Sequence, residues 1–329
     1  YIESILRVYN LYGRRDNLFK ARIKILVNAL GIERFRQLVE EDWAATRGGS
    51  LTVPAEEIER IRAYFAPPPW ETLADEPALL AEQMAAEPAF SGWYRANTHA
   101  HKTPGYRIVT LSLKAPGHEP GDLDAARMEA VADLADRYSF GELRVSHRQN
   151  LVFTDVRQRD LLPLWQALVD LDLATPNIGK LTDMIACPGL DYCALANARS
   201  IPVAQDISRH FADAGKLQAI GELTINISGC MNACGHHHVG NIGILGVDKQ
   251  GQEFFQLTLG GASDQHAALG DRLGRGLPQA EVPAAIERIV DTYLSLREND
   301  ENFVDTYRRV GIEPFRTAVY GEKPARRVA

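Results

Sequence analysis

Cysteine is scarce in this chain, four in 329 residues, and that scarcity excludes a fold stapled by many disulfides. Long apolar runs are missing. No stretch reaches the ~20 residues that a membrane-spanning helix needs, and no membrane partner is expected. The opening residues lack the charged and then apolar regions of a secretory signal. An excess of positive charge is missing too. Lys and Arg number 36 against 43 Asp and Glu, a formal net charge of −7. That balance speaks against a general nucleic-acid binder. What remains is an ordinary soluble composition, 45% hydrophobic and 24% charged, with two domains the default at this length. The chain opens on Tyr1 rather than Met, within residues that read as helix interior, and a fragment or processed piece is expected. The expected localisation is cytoplasmic, a reducing setting in which thiols stay free for metal.

The four cysteines form two tight pairs. Cys187 and Cys193 are separated by five residues, Cys230 and Cys234 by three. Both pairs sit among small or turn-forming residues, Cys187-Pro188-Gly189 and Gly229-Cys230-Met231-Asn232-Ala233-Cys234-Gly235. Such loops leave backbone N–H groups free to face sulfur and let the chain curl around a compact inorganic object. The economical reading is one iron–sulfur cluster held by all four thiolates. Three alternatives stand beside it. Buried inert thiols are common. Structural zinc suits the second pair, but the first is wider than zinc spacing favours. Disulfides fit poorly with a large reduced protein. The adjacent His236, His237 and His238 read as a polar loop or as rings packed on each other, with a haem-ligand or active-site role the minority reading.

Periodicity organises the rest. Residues 1–43 read as helical, with Gly31 a stop, and Pro54 to Ile61 as a short helix. Pro67-Pro68-Pro69-Trp70 breaks regularity and opens a linker, expected over 67–90, with residues 74–87 a short helix or a loose connection. Strands are expected over 106–113, 142–146 and 151–156, with helices over 122–138 and 158–171. That order suggests a ferredoxin-like α+β unit over 91–178. Beyond it come a helix over 194–214, strands over 223–228, 239–247 and 253–259, and helices over 282–297 and 303–310. A turn is expected at Lys249-Gln250-Gly251.

These residues resemble a known family, the sirohaem-containing iron–sulfur nitrite and sulfite reductases. The family pattern is C-x5-C, a long gap, then C-x3-C in a Gly-Cys-x-Asn-x-Cys-Gly setting, and Cys187 to Cys193 and Gly229 to Gly235 match it, Asn232 included. The stretch Tyr9 to Asn17 and on through Ala21-Arg22-Ile23-Lys24 resembles the basic segment that closes the first half of family members. The resemblance implies a pseudo-twofold α+β fold, each half a ferredoxin-like unit followed by an α/β unit. On that basis residues 1–66 close the first half, and residues 179–329 form the domain binding sirohaem and a 4Fe–4S cluster.

The resemblance also implies a chemistry. Cys187, Cys193, Cys230 and Cys234 would ligate the cluster, and Cys234 would be shared with the sirohaem iron. The reaction would be six-electron reduction of sulfite to sulfide, with nitrite to ammonia the runner-up. The setting would be assimilatory, and the donor ferredoxin or an NADPH flavoprotein. Sirohaem carries many carboxylates, so its pocket needs cations. Arg22 and Lys24 resemble family positions contacting them, and Arg15 is a looser candidate. A plain surface charge stripe is the alternative. Asn232 is a cofactor-binding candidate, or a turn residue in a left-handed conformation. Arg144-Val-Ser-His-Arg-Gln-Asn150 resembles a strand-turn motif repeated in both halves, which makes Arg148 a weak catalytic candidate. Most family substrate-binding cations lie in the first half, outside these residues, so no catalytic residue is assigned and this stretch alone is expected to be inactive. Gly260-Gly261 and Gly270 to Gly276, with Arg272 and Arg275, are a generic candidate cradle for a carboxylate. His99, His101 and Lys102 are not expected to reach the pocket. Two rival functions remain: a haem-free iron–sulfur electron-transfer domain, and a zinc-stabilised binding module.

Overall fold

Gly31 divides what reads as one helical segment. The structure, a computed structural model, describes residues 1–321; the last residues of the expected final domain, 322–329, lie outside the described residues. It divides into two compact units, Tyr1–Trp70 and Glu71 onward. In the first, helix α1 (Ile2–Tyr12) is followed by a single 3-10 turn (Leu18–Lys20), then α2 (Ile23–Leu30), α3 (Ile32–Thr46) and α4 (Ala55–Tyr64). Gly31 ends α2 and starts α3 at φ +79°, a conformation that only glycine takes cheaply. Val8, Leu26, Phe35 and Val39 bury themselves together and hold α1, α2 and α3 to one another.

The second unit begins with helices α5 (Pro77–Ala86) and α6 (Pro88–Asn97), within and just past the stretch expected as linker. Each has a proline in its first turn, where the missing N–H costs no hydrogen bond. Leu80, Phe90 and Trp93 carry them into a core shared with Val109, Leu111, Phe153, Leu161 and Leu164. Strands β1 (Thr98–Ala100) and β2 (Tyr106–Leu111), helix α7 (Ala125–Tyr138), strands β3 (Leu143–Val145) and β4 (Leu151–Arg157), and helix α8 (Leu161–Asp170) follow. The antiparallel sheet runs β1-β2-β4-β3. The expected strand–helix–strand–strand–helix series is present, with β1 added at one edge.

A second sheet follows in the same unit. It runs β5 (Ile185–Ala186), β6 (Ile225–Ser228), β7 (Ile242–Lys249), β8 (Gln252–Leu259), β9 (Asp271–Arg272). The first three strands are parallel and the last pairs antiparallel. All four residues of β6 are buried, as an interior parallel strand requires. The expected turn after Lys249 is a two-residue hairpin with Gln250 and Gly251 both at positive φ, matching the twist of the strands it joins.

Helices α9 (Ser200–His210), α10 (Ala214–Ile220), α11 (Val282–Leu296), α12 (Phe303–Val310) and α13 (Glu313–Tyr320) complete the unit. Val203, Ile207, Ile286, Val290 and Phe303 enter one core with β6 and β7. The helix expected over 194–214 starts only at Ser200. Asn197 and Ala198 instead donate their N–H groups to Gly229 O, at 2.8 and 3.0 Å, so this backbone is committed to the cysteine loops.

Candidate cluster and cofactor site

The two cysteine pairs leave the sheet side by side. Ala186 of β5 pairs in register with Ile227 of β6; Cys187 follows the first strand and Gly229-Cys230 the second. Adjacent parallel strands thus deliver both loops to the carboxyl end of the sheet, the usual ligand end of such sheets. Cys187 N–H donates to Ile227 O at 3.0 Å, and Gly229 N–H donates to Cys187 Sγ at 3.0 Å. Cys193 N–H returns to Gly189 O at 2.9 Å. The approach depends on glycine. A Cβ on Gly229 would lie 2.6 Å from Ala198 O and 3.0 Å from Gly189 Cα, and one on Gly235 would lie 1.9 Å from Ile227 O.

All four cysteines are free thiols, Cys187 and Cys230 buried, Cys193 half-buried and Cys234 exposed. It is the loops that converge. Among the described residues no three His, Cys, Asp or Glu side chains are gathered around one point for a metal ion. The donor chemistry nonetheless fits a cluster: four thiols, a backbone N–H aimed at one of them, and glycines that clear the space between the loops.

Cys234 opens onto a cavity of about 360 Å³ lined by His147, Arg148, Gln149, Asn226 and His236 among others. A larger cavity of about 710 Å³ shares His147, Arg148, Thr224 and Ser263 with it, so the two lie side by side and line one grooved face. Arg148 is half-buried there. Its backbone is held from behind: Lys114 Nζ donates to Arg148 O and lies 2.6 Å from Asp183 Oδ1. Asn150 Nδ2 and Gly179 N–H complete the shell around Asp183 at 2.9 Å each. Burial pulls the Lys114 ammonium below the usual lysine range, against the opposing pull of Asp183. No local sequence pattern marks Lys114 or Asp183, because the contact joins residues distant in the chain.

The other candidates fall variously. Asn232 is exposed, and the left-handed residue is its neighbour Ala233, at φ +57°. The histidine run is split: His236 lines the smaller cavity, while His237 is buried and stacks on His238 with ring centroids 3.9 Å apart. Burial first, and the charge of His238 second, push His237 down to about 4, so its imidazole is neutral near pH 7. His99 lines the larger cavity. Its neighbour His101 instead pairs with buried Asp155 at 3.2 Å, and Lys102 is exposed. The candidate glycine cradle falls into two separate parts. The space over Gly260 is filled by the Tyr307 ring and that over Gly261 by Gly240 O. Arg272 and Arg275 line a separate concavity with Arg316.

Arg15, Arg22 and Lys24 belong to the first unit and are exposed or partly exposed. Arg22 sits at the N-terminus of α2 and donates to Ala21 O at 2.9 Å and Leu18 O at 3.2 Å. Arg15 lies over the Tyr9 ring at 4.7 Å. Lys24, in the first turn of α2, is exposed.

Comparison with known proteins decides the family. The model of the nitrite and sulphite reductase 4Fe-4S domain matches residues 1–46 and 179–327, more than half of the chain, and that of the nitrite/sulfite reductase ferredoxin-like half domain matches 99–171. This chain belongs to the nitrite and sulfite reductase family. Ferredoxin--nitrite reductase of Synechococcus elongatus is 29% identical over 87% of this chain and 49% of its own length. Sulfite reductase [ferredoxin] 2 of Mycolicibacterium paratuberculosis is 27% identical over 95% of this chain and 51% of its own. The solved structure of Mycobacterium tuberculosis NirA protein shares the fold, with a TM-score of 0.59 and 24% identity over 95% of this chain and 53% of that one. The chain spans about half the length of the curated relatives it matches. The family is one of oxidoreductases whose cofactors are sirohaem and a 4Fe–4S cluster. No helix among the described residues is long and apolar enough to cross a membrane.

Proposed function

We propose that this chain supplies the cluster-bearing part of an enzyme that reduces sulfite to sulfide with six electrons. Cys187, Cys193, Cys230 and Cys234 would ligate the cluster, and Cys234, the exposed thiol lining the groove, would be the one shared with sirohaem. The observation that carries this reading is the joining of the two loops through Cys187, Gly189, Ala198 and Gly229 beside a groove onto which Cys234 opens. When bound, the coupled cofactors store and pass electrons singly to one reducing centre.

The chain's own residues prepare that site. Gly229 N–H stabilises negative charge on Cys187 Sγ. Burial of Cys187 and Cys230 keeps water from two of the ligands. Arg148 places a cation in the groove that Cys234 also lines, a group that would suit an anionic macrocycle edge or an oxyanion. Arg22, Lys24 and Arg15 are the proposed carboxylate partners from the first unit, and Asn232 a donor at the cofactor periphery.

Nitrite is the second reading, since relatives named for each anion match at similar identity. Ferredoxin is the proposed donor, after the names of those relatives, with an NADPH flavoprotein the alternative. The test is turnover of the protein at its full encoded length, with reduced ferredoxin and each anion separately. Sulfide formed at the higher kcat/KM supports the sulfite reading. Ammonia formed faster transfers the assignment to nitrite, and turnover of neither anion overturns both.

A further inference from the structure

Strand β5 is two residues long and lies at the edge of its sheet, with β6 on one side only. An edge strand leaves a row of N–H and C=O groups without ladder partners. Here the outward pair belongs to Ala186, the residue immediately before Cys187. Both of its groups are taken by one side chain from the turn between β3 and β4: Gln149 Oε1 accepts from Ala186 N–H at 2.9 Å, and Gln149 Nε2 donates to Ala186 O at 2.8 Å. A carboxamide is the side-chain group that can donate and accept at once in this geometry. In effect Gln149 stands in for a missing strand, while Cys187 N–H bonds inward to Ile227 O.

The backbone of Gln149 is shaped for the task. It sits at φ +58°, a left-handed conformation that glycine or asparagine fills more cheaply and that costs a non-glycine residue about 1 kcal/mol or more. Glycine would relieve the backbone but has no side chain to reach Ala186. The turn is braced by neighbouring side chains. Ser146 Oγ accepts from Arg148 N–H and Asn150 N–H at 3.2 Å each. Asn150 Nδ2 donates to buried Asp183, and a Cβ on Gly121 would come within 2.8 Å of Gln149 Cβ.

We propose that Gln149 is a positioning residue for the cluster: its carboxamide fixes the strand that delivers Cys187 and so ties the ferredoxin-like layer to the first cysteine loop. The proposal rests on the cluster reading above.

The test uses the protein at its full encoded length, purified without oxygen, with iron and acid-labile sulfide measured first. Gln149→Leu keeps similar bulk and removes both bonds. Gln149→Glu keeps the acceptor for Ala186 N–H and loses the donor. Ferrous iron released to a chelator should appear about 10-fold faster or more in the leucine variant, the scale on which outer partners of metal ligands act. The glutamate variant should show a smaller acceleration, and the electron paramagnetic resonance of the reduced cluster should change in both. Val145→Thr, an exposed change on the same hairpin, should match the parent. Should the leucine variant fail to fold, the near-isosteric glutamate variant alone decides. Release rates and spectra like the parent's in the Gln149 variants overturn the proposal. A parent protein without iron and sulfide overturns the cluster reading instead.

Discussion

The Nζ of Lys114 lies 2.6 Å from Oδ1 of Asp183, and both side chains are almost wholly buried. A buried pair contributes little over an apolar replacement, but losing one member strands the other. Asp183→Asn and Lys114→Met should therefore each destabilise the fold by about 3 kcal/mol. The double variant should cost clearly less than the sum, because neither charge is then left unpaired. Denaturant midpoints of the four proteins close the cycle. An additive double variant would show that the pair is not coupled.

Glycine at the loop contact makes a second prediction. Gly229→Ala sets a methyl 2.6 Å from Ala198 O, and Gly235→Ala sets one 1.9 Å from Ile227 O. Both obstacles are backbone atoms, so no side chain can swing aside. Overpacking of this kind costs ~1–3 kcal/mol, and the loops must part to relieve it. Both variants should purify with less iron and acid-labile sulfide than the parent, Gly235→Ala the lower. Full cluster content in either would remove the argument that these glycines bring the loops together.

These glycines and cysteines were legible because they are local. C-x5-C and C-x3-C with their flanking glycines fit inside two short stretches. What ties the loops together was not legible, since Ala198 N–H to Gly229 O joins residues far apart in sequence. The same holds for Lys114 and Asp183, and for Gln149 and Ala186. Residues 67–90 read as linker, with 74–87 a short helix or a loose connection, because alanine and glutamate dilute the apolar face there. Pro77 and Pro88 were in fact start signals, each in the first turn of its helix. Pro314 plays the same part in α13, a helix that periodicity did not reveal. Nothing in the neighbourhood of His99 says that β1 pairs with β2 and brings that residue to the larger cavity.

His237 predicts a pH dependence. Its unfolded pKa is near 6.5, and burial with the His238 charge lowers the folded value to about 4. Between these values the unfolded chain binds a proton that the folded chain refuses. Stability is therefore full above about pH 6.5 and falls as pH drops toward 4. His237 Nδ1 has no hydrogen-bond partner among the described residues, so the ring contributes packing more than polar contacts. His237→Phe should keep the stack on His238 and flatten the loss of stability between about pH 6.5 and about pH 4.5. Equal slopes for parent and variant would show that His237 titrates normally in the folded state.

Two arginines, both singled out by sequence, separate in the structure and give a paired test. Arg148 lines the groove onto which Cys234 opens, and Arg272 lines a different concavity beside Arg275 and Arg316. A guanidinium on a carboxylate in a partly shielded site contributes on the order of 1.5–3 kcal/mol, roughly a factor of ten or more in affinity. Arg148→Gln keeps polarity and removes the charge. It should lower the sirohaem content of the protein produced at its full encoded length, read from absorbance per chain, while the iron–sulfide content stays near that of the parent. Arg272→Gln should leave both unchanged, since its concavity shares no residue with the groove. If the two substitutions exchange effects, the anionic edge of the cofactor lies at the second concavity, beside Gly274 and Arg275.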